Sequence, residues 1–290
     1  MNRKFLITFL FVILFGLSLN PLAQPLVKPV ALLIDTPTEE FVFAVFGDNR
    51  PGQKAIEQPQ VYKQIIREIN KSSAVLAINT GDLVDGVVDL ETQRLQFAEF
   101  IKVSSGLTIP LYTVIGNHDV AGQQEIQDLY LELICPKLYY SFDFNHCHFI
   151  FLDSETIGEE GSIPWEQLKW LTKDLKNITV TTKHIFVFLH RPLFSAGPHK
   201  GGCLDRYPEE RDELLKLFVR FNVDAIFCGH EHIYHKSVHN GVTQYITGGA
   251  GAPLHKNFDK IKDYPGAFHH YLLVKVFPRR YEVEVKIPES

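Results

Sequence analysis

The stretch EFVFAVFGDNRPG, residues 40–52, runs apolar from Phe41 to Phe46 and stops at Gly47. Asp48, Asn49 and Arg50 follow at once, ahead of Pro51 and Gly52. A buried strand that ends on Gly-Asp carries a charge where the chain leaves the sheet. One such ending is ordinary turn chemistry, but here it recurs. The apolar run 74–79 ends on Thr80-Gly81-Asp82, and the run 111–115 ends on Gly116-Asn117-His118-Asp119. The run 185–189 delivers His190, and the run 225–228 ends on Gly229-His230-Glu231-His232. Five buried runs therefore each bring a carboxylate, amide or imidazole to the edge where α/β folds build their sites. His230 and His232 alternate, so on an extended backbone both point the same way. Together the five endings read as a metal site.

Between these runs the pattern changes to helical period. Val61, Ile65, Ile66 and Ile69 form one face, and Leu95, Phe97, Phe100 and Ile101 a less regular second one. Trp165, Leu168, Leu171 and Leu175, behind Pro164, form a third face, and Leu214, Leu215, Phe218 and Phe221 a fourth. After about residue 233 the helical period is gone. Asn240-Gly241 reads as a hairpin turn, and residues 271–277 and 281–287 read as further strands. The chain is an α/β body that finishes in antiparallel strands, with residues 40–290 as one domain.

The chain has 290 residues, 45% of them hydrophobic, which is enough for a large core. A net charge of -5 argues against a nucleic-acid partner, which wants a basic surface. Residues 1–25 carry a basic start and an apolar run over 5–19, then a breaker. They read as a signal peptide, or as an uncleaved N-terminal anchor, and imply export to the periplasm or the medium. Residues 26–39 read as a mature arm. An exported chain permits disulfides: Cys135 and Cys147 are a possible pair, and Cys228 reads as a buried thiol.

HEHIY at 230–234 is not a zincin helix, because Tyr234 stands at the second His position. HEHIYH departs from the β-lactamase-like zinc motif at the same residue. No Gly-x-Ser-x-Gly elbow or Walker loop is present. The ordered set Gly47-Asp48, GDLVDG at 81–86, GNHD at 116–119, His190 in FLHRPL and GHEH at 229–232 resembles the calcineurin-like metallophosphoesterase superfamily. GGAGAP at 248–253 is similar to a loop that some members carry near the site.

The resemblance implies a four-layer αββα sandwich of two mixed sheets, with a dinuclear metal site at the carboxyl ends of the strands. It implies that Asp82 bridges two ions, that Asp48 and His232 hold the first, and that Asn117, His190 and His230 hold the second. Such nitrogen and oxygen donors suit manganese, iron or zinc, divalent or trivalent. Two ions of this kind activate a water and hold phosphoryl oxygens. His118 would protonate the leaving group of a phosphomonoester or phosphodiester, and Asp85 matches a carboxylate that orients this His. Asn117, Arg50 and Arg191 are the candidates for binding substrate, since a guanidinium fork fits phosphate oxygens. His199 lies in a Gly-rich loop that would form a rim, while His255, His269 and His270 read as structural.

Many members begin with Asp-x-His, whose His ligates the first ion, but here the triplet is Asp48-Asn49-Arg50. Arginine offers no lone pair. Nor is there the Tyr of purple acid phosphatases, since Asp85 takes its place. The first ion is therefore expected to bind more weakly than the second. The competing readings are a metal- and phosphate-binding protein of the same fold without appreciable turnover, and a nuclease, which lacks its basic stripe.

Overall fold

The computed structural model describes residues 40–87, 89–255 and 267–289, so the leader and the arm lie outside the described residues. The strands are β1 (Phe41–Phe46), β2 (Ala74–Asn79), β3 (Leu111–Thr113), β4 (Tyr140–Phe144), β5 (Cys147–Phe151) and β6 (His184–Leu189). They continue with β7 (Ala225–Cys228), β8 (Tyr234–His239), β9 (Val242–Thr247), β10 (Tyr271–Phe277) and β11 (Arg280–Lys286). The helices are α1 (Gln60–Lys71), α2 (Leu90–Ser104), α3 (Asn117–Val120), α4 (Gln124–Leu133), α5 (Trp165–Lys176) and α6 (Pro208–Arg220).

One sheet has the order β11-β10-β1-β2-β3, the other β4-β5-β6-β7-β9-β8. In the first, β1, β2 and β3 are parallel and antiparallel β10 and β11 extend one side; in the second, β5, β6, β7 and β9 are parallel and are flanked by antiparallel β4 and β8. The sheets face each other across an aromatic layer. The Phe43 ring lies 5.4 Å from Phe149, 5.2 Å from Phe186, 6.2 Å from Phe188 and 6.1 Å from Phe227. Alternation along β1 turns Phe46 the other way, onto Tyr62 of α1, which stacks on Phe100 of α2. On the second sheet, Ile185, Val187 and Leu189 face out and pack with Leu171 and Leu175 of α5 and with Leu214, Leu215 and Phe218 of α6. The result is the expected αββα sandwich.

Some local readings change. The β4–β5 hairpin, reversing at Asn145 and His146 with φ of 50° and 64°, was not expected. Leu95 is exposed, and Gln93 and Gln96 are buried on α2 instead. That explains the irregular face: amides take part of it for hydrogen bonds described below. Trp165 points to solvent, 71% exposed. The Asn240-Gly241 turn, with φ of 51° and 90°, joins β8 to β9 as a primed hairpin turn. Cys135 and Cys147 do not pair; all four thiols are free and buried. Among the described residues no helix is long and apolar enough to cross a membrane.

A buried histidine on β5, His148, is flanked by two carboxylates. His148 Nδ1 meets Asp143 at 2.7 Å and its Nε2 meets Asp174 at 2.8 Å. Burial opposes the charge, but the two carboxylates outweigh it and raise the His148 pKa. A raised folded pKa contributes stability that is complete below the unfolded value, ~6.5, and is lost as pH rises through the folded value. Wild type should therefore exceed His148→Asn by more at pH ~5.5 than at pH ~8.5, by about 1 kcal/mol. Paired urea titrations at the two pH values measure this; an equal gap at both would remove the charged role.

Candidate metal centre

Each half of the centre comes from one sheet. Asp48, Asp82 and Asn117 follow β1, β2 and β3, whereas His190 follows β6 and His230 and His232 follow β7. The structure brings all six together. Asp82 Oδ1 lies 3.3 Å from His190 Nε2, and Asp48 Oδ1 lies 3.4 Å from His232 Nε2. One ligand atom from each of Asp48, Asp82 and His190 falls within 4.8 Å of the others, as one ion requires. Asp48, Asp82 and His230 hold left-handed backbone, with φ of 58°, 58° and 68°. That conformation is costly for a side-chain residue and turns these groups off their strand axes into one volume. Close packing does the rest. A Cβ on Gly116 would fall 2.4 Å from Asp82 Oδ1, and one on Gly248 would fall 2.8 Å from Asp48 Oδ2.

The donor set fits cations. His190 donates Nδ1–H to the Thr80 carbonyl at 2.8 Å; burial opposes its charge, but Asp82 and Asp48 outweigh this and raise its pKa, so its Nε2 offers a lone pair once an ion displaces the second proton. That nitrogen stands 3.1 Å from Asn117 Oδ1 and 3.2 Å from His230 Nδ1, itself 2.8 Å from Asn117 Oδ1. Without an ion the trio shares one proton at most, whereas a cation serves all three lone pairs at once. Burial, with the His190 charge beside it, pushes His230 well below the usual range, so its ring is neutral and able to ligate. Burial raises the Asp82 carboxyl, but the charges of His190 and His118 outweigh this and hold it at about 2. Asp82 thus stays anionic, as a carboxylate ligand must.

His118 lies beside this cluster, its Nε2 3.8 Å from Asp82 Oδ2 and its backbone N–H on Asp82 Oδ1. Its partner differs from the expectation. The Asp85 carbonyl, at 2.5 Å, receives His118 Nδ1–H, and the Asp85 carboxylate does not. That carboxylate instead takes Arg50 Nη1 at 2.9 Å and the Lys54 amide at 2.8 Å, because the turn at Gly86 directs it toward the β1 loop. Arg50 therefore pairs with Asp85 beside the centre, while its buried Nε–H has no partner among the described residues. Arg191 lies close enough to help lower the His230 pKa, but its guanidinium is already engaged. Its guanidinium is paired with the buried Glu155 at 2.9 Å and with the Gly202 carbonyl, which fixes the loop after β6.

Several supporting residues escaped the sequence reading. Asp119, last of GNHD, accepts the amides of Asp82, Leu83 and Gly116 at 3.0, 2.9 and 2.8 Å. Gln93 donates to the His118 carbonyl, and Gln96 accepts the Asp85 amide. Two polar residues inside an apolar helical face were the available signal. Glu231, between the two His of GHEH, takes Ser195 Oγ and the Ala196 amide and ties down the loop that carries His199. The His199 ring then rests 4.3 Å from His230. His255, read as structural, lies instead against His232.

The calcineurin-like phosphoesterase family profile matches residues 41–234. That is more than half of the chain, and the chain belongs to this family of phosphoester hydrolases. The serine/threonine-protein phosphatase CPPED1 of Danio rerio is 27% identical over 70% of this chain and 69% of its own length. Human tartrate-resistant acid phosphatase type 5 is 27% identical over 76% and 75%. A purple acid phosphatase from yellow lupin shares the fold with a TM-score of 0.71 at 18% identity, covering 86% of this chain, which spans about half (52%) of the lupin chain. A dimetal phosphatase from Danio rerio does so with a TM-score of 0.64 at 12% identity, over 86% and 97%. The protein is a metal-dependent phosphoesterase.

On the assignment that the family resemblance implies, with Asp82 bridging, Asp82→Asn should remove both ions together, since the charge of a shared carboxylate cannot be withdrawn from one ion alone. Metal analysis after gel filtration measures it, and two tightly held ions per chain would contradict the bridge. Stepwise metal titration of wild type should show two unequal sites, the weaker at Asp48 and His232. Equal affinities would contradict the missing ligand.

Proposed function

We propose that this chain hydrolyses phosphate esters, with His118 as general acid and two transition-metal ions held by Asp48, Asp82 and His232 and by Asp82, Asn117, His190 and His230. The observation that carries this reading is the convergence of His190 Nε2, His230 Nδ1 and Asn117 Oδ1 on one point beside an anionic Asp82. Such ions, when bound, neutralise phosphoryl oxygens and make water a nucleophile near neutral pH. The residues around them do the rest. His118 Nδ1–H is held by the Asp85 carbonyl, so a second proton on Nε2 makes the ring a cation with that proton to give. Its Nε2 faces the centre, where a leaving alkoxide would form. Asp85 thus has two roles: its carbonyl orients the acid, and its carboxylate holds Arg50 beside the site. Arg50, partly exposed and held beside the site by Asp85, supports an anionic substrate. The basic and apolar leader supports export of the mature enzyme.

Release of p-nitrophenol from p-nitrophenyl phosphate and from its bis ester, with manganese, iron or zinc added in turn, tests the reading. Turnover should require metal; none with any metal would leave a binding protein. His118→Ala should keep both ions and lose roughly 10²–10⁴ in kcat on an alkyl ester. An aryl ester should lose less, because its leaving group needs less protonation. Loss of an ion in this variant would remove the general-acid role.

A further inference from the structure

The histidines around the centre sort by what their Nδ1 touches. His190 gives Nδ1–H to the Thr80 carbonyl at 2.8 Å, and His232 gives its own to the Pro253 carbonyl at 2.6 Å. Each ring thereby turns Nε2 to Asp82 or Asp48, with a lone pair to offer once an ion displaces the second proton. His255 is the reverse. Its Nδ1 accepts the backbone N–H of His232 at 3.2 Å, so the ring proton lies on Nε2. The ring lies flat on His232, with centroids 4.4 Å apart and 12° between planes, and stands edge-on to His199 at 5.1 Å. The His255 backbone amide also returns to the His232 carbonyl at 3.4 Å. His255 is therefore tied at two points to a residue of the centre. Its ring is half-buried, and Nε2 has no partner among the described residues.

We infer that His255 is a substrate-positioning residue, whose Nε2–H donates to a phosphoryl oxygen on the Asp48–His232 side of the centre. The inference rests on the phosphoesterase reading. That side is where Arg50 leaves the ion one protein ligand short. The nearby His255 cannot supply the ligand, because an Nε2 that carries a proton has no lone pair to give. An oxygen from substrate or water must fill the position, and a fixed neutral N–H beside it is a donor matched to that oxygen.

Two variants separate donation from packing. His255→Phe keeps a flat ring against His232 but removes both nitrogens, whereas His255→Gln keeps an N–H donor. With zinc loaded, calorimetry with inorganic phosphate should show about tenfold weaker binding in the Phe variant, equivalent to ~1.4 kcal/mol. KM for p-nitrophenyl phosphate should rise in parallel, with kcat within about twofold and zinc content unchanged. The Gln variant should recover most of the loss. An unchanged phosphate affinity in the Phe variant overturns the inference, and so does loss of an ion, which would make His255 a ligand. Should the Phe variant not fold, nitrogen NMR of the histidines in zinc-loaded wild type still decides. The signal missing from His255→Gln should report the Nε2–H tautomer, and an Nδ1–H tautomer overturns the inference. The phosphate titration judges His255 even if wild type turns over no ester, so the two readings fail separately.

Discussion

The packing of one sheet on the other around Phe43 is the constraint on which the centre depends. Three of the candidate ligands hang from the sheet of β1, β2 and β3, and three from the sheet of β6 and β7. A slide between the sheets would separate His190 from Asp82 and His232 from Asp48. Phe43 meets four phenylalanine rings of the opposite sheet, all fully buried, and rings packed at interior density yield little. Hydrogen bonds at the carboxyl edge lock the same offset. His190 reaches the Thr80 carbonyl, the His230 amide reaches both Asp48 oxygens, and the amides of Ala250 and Ala252 reach the carbonyls of Gly47 and Asp48. Each of these links crosses from one sheet to the other, so the core sets the spacing and the edge contacts refine it.

Within that frame the ligands are strained and crowded. Left-handed backbone at Asp48, Asp82 and His230 costs of order 1–3 kcal/mol each, and two buried carboxylates in contact range add repulsion. Asp119 offsets part of this by gathering three amides from the β2 and β3 loops onto one carboxylate. What remains is a cavity of lone pairs already aimed inward, which a cation relieves. Geometry of this kind is prepared by folding and does not have to form as the ion arrives.

The sequence carried most of the frame because the pattern was redundant. Five apolar runs of strand length, each closed by Gly and a ligating residue, can be aligned with one sheet edge without knowing the distances between them. Side-chain direction was less legible. Arg191 stands directly after a candidate ligand, yet Glu155, 36 residues earlier, captures it in three dimensions. Asp85 was assigned by its carboxylate, but its backbone oxygen makes the contact to His118, and no residue type encodes a carbonyl. His255 follows a proline-containing loop and has no neighbour in sequence to betray it; only the fold lays it on His232. Gln93 and Gln96 are legible in principle, as amides that interrupt a helical stripe.

Arg50 ties these strands of argument together. Replacing an imidazole by a guanidinium removes a lone pair and adds a permanent charge, so metal affinity and anion affinity move in opposite directions. Alone, that charge would repel the ion beside it. The Asp85 carboxylate, 2.9 Å from Nη1, compensates part of it and draws the guanidinium toward the β2 loop. The same residue holds His118 through its carbonyl, so the position of the guanidinium and that of His118 are set by one turn. On the proposed ligand assignment, the ion at Asp48 and His232 is the more exposed to exchange, while the walls around it are richer in N–H donors. On that assignment a phosphate ester would meet protein donors as well as metal, and the weaker ion would be held best when the ester is there.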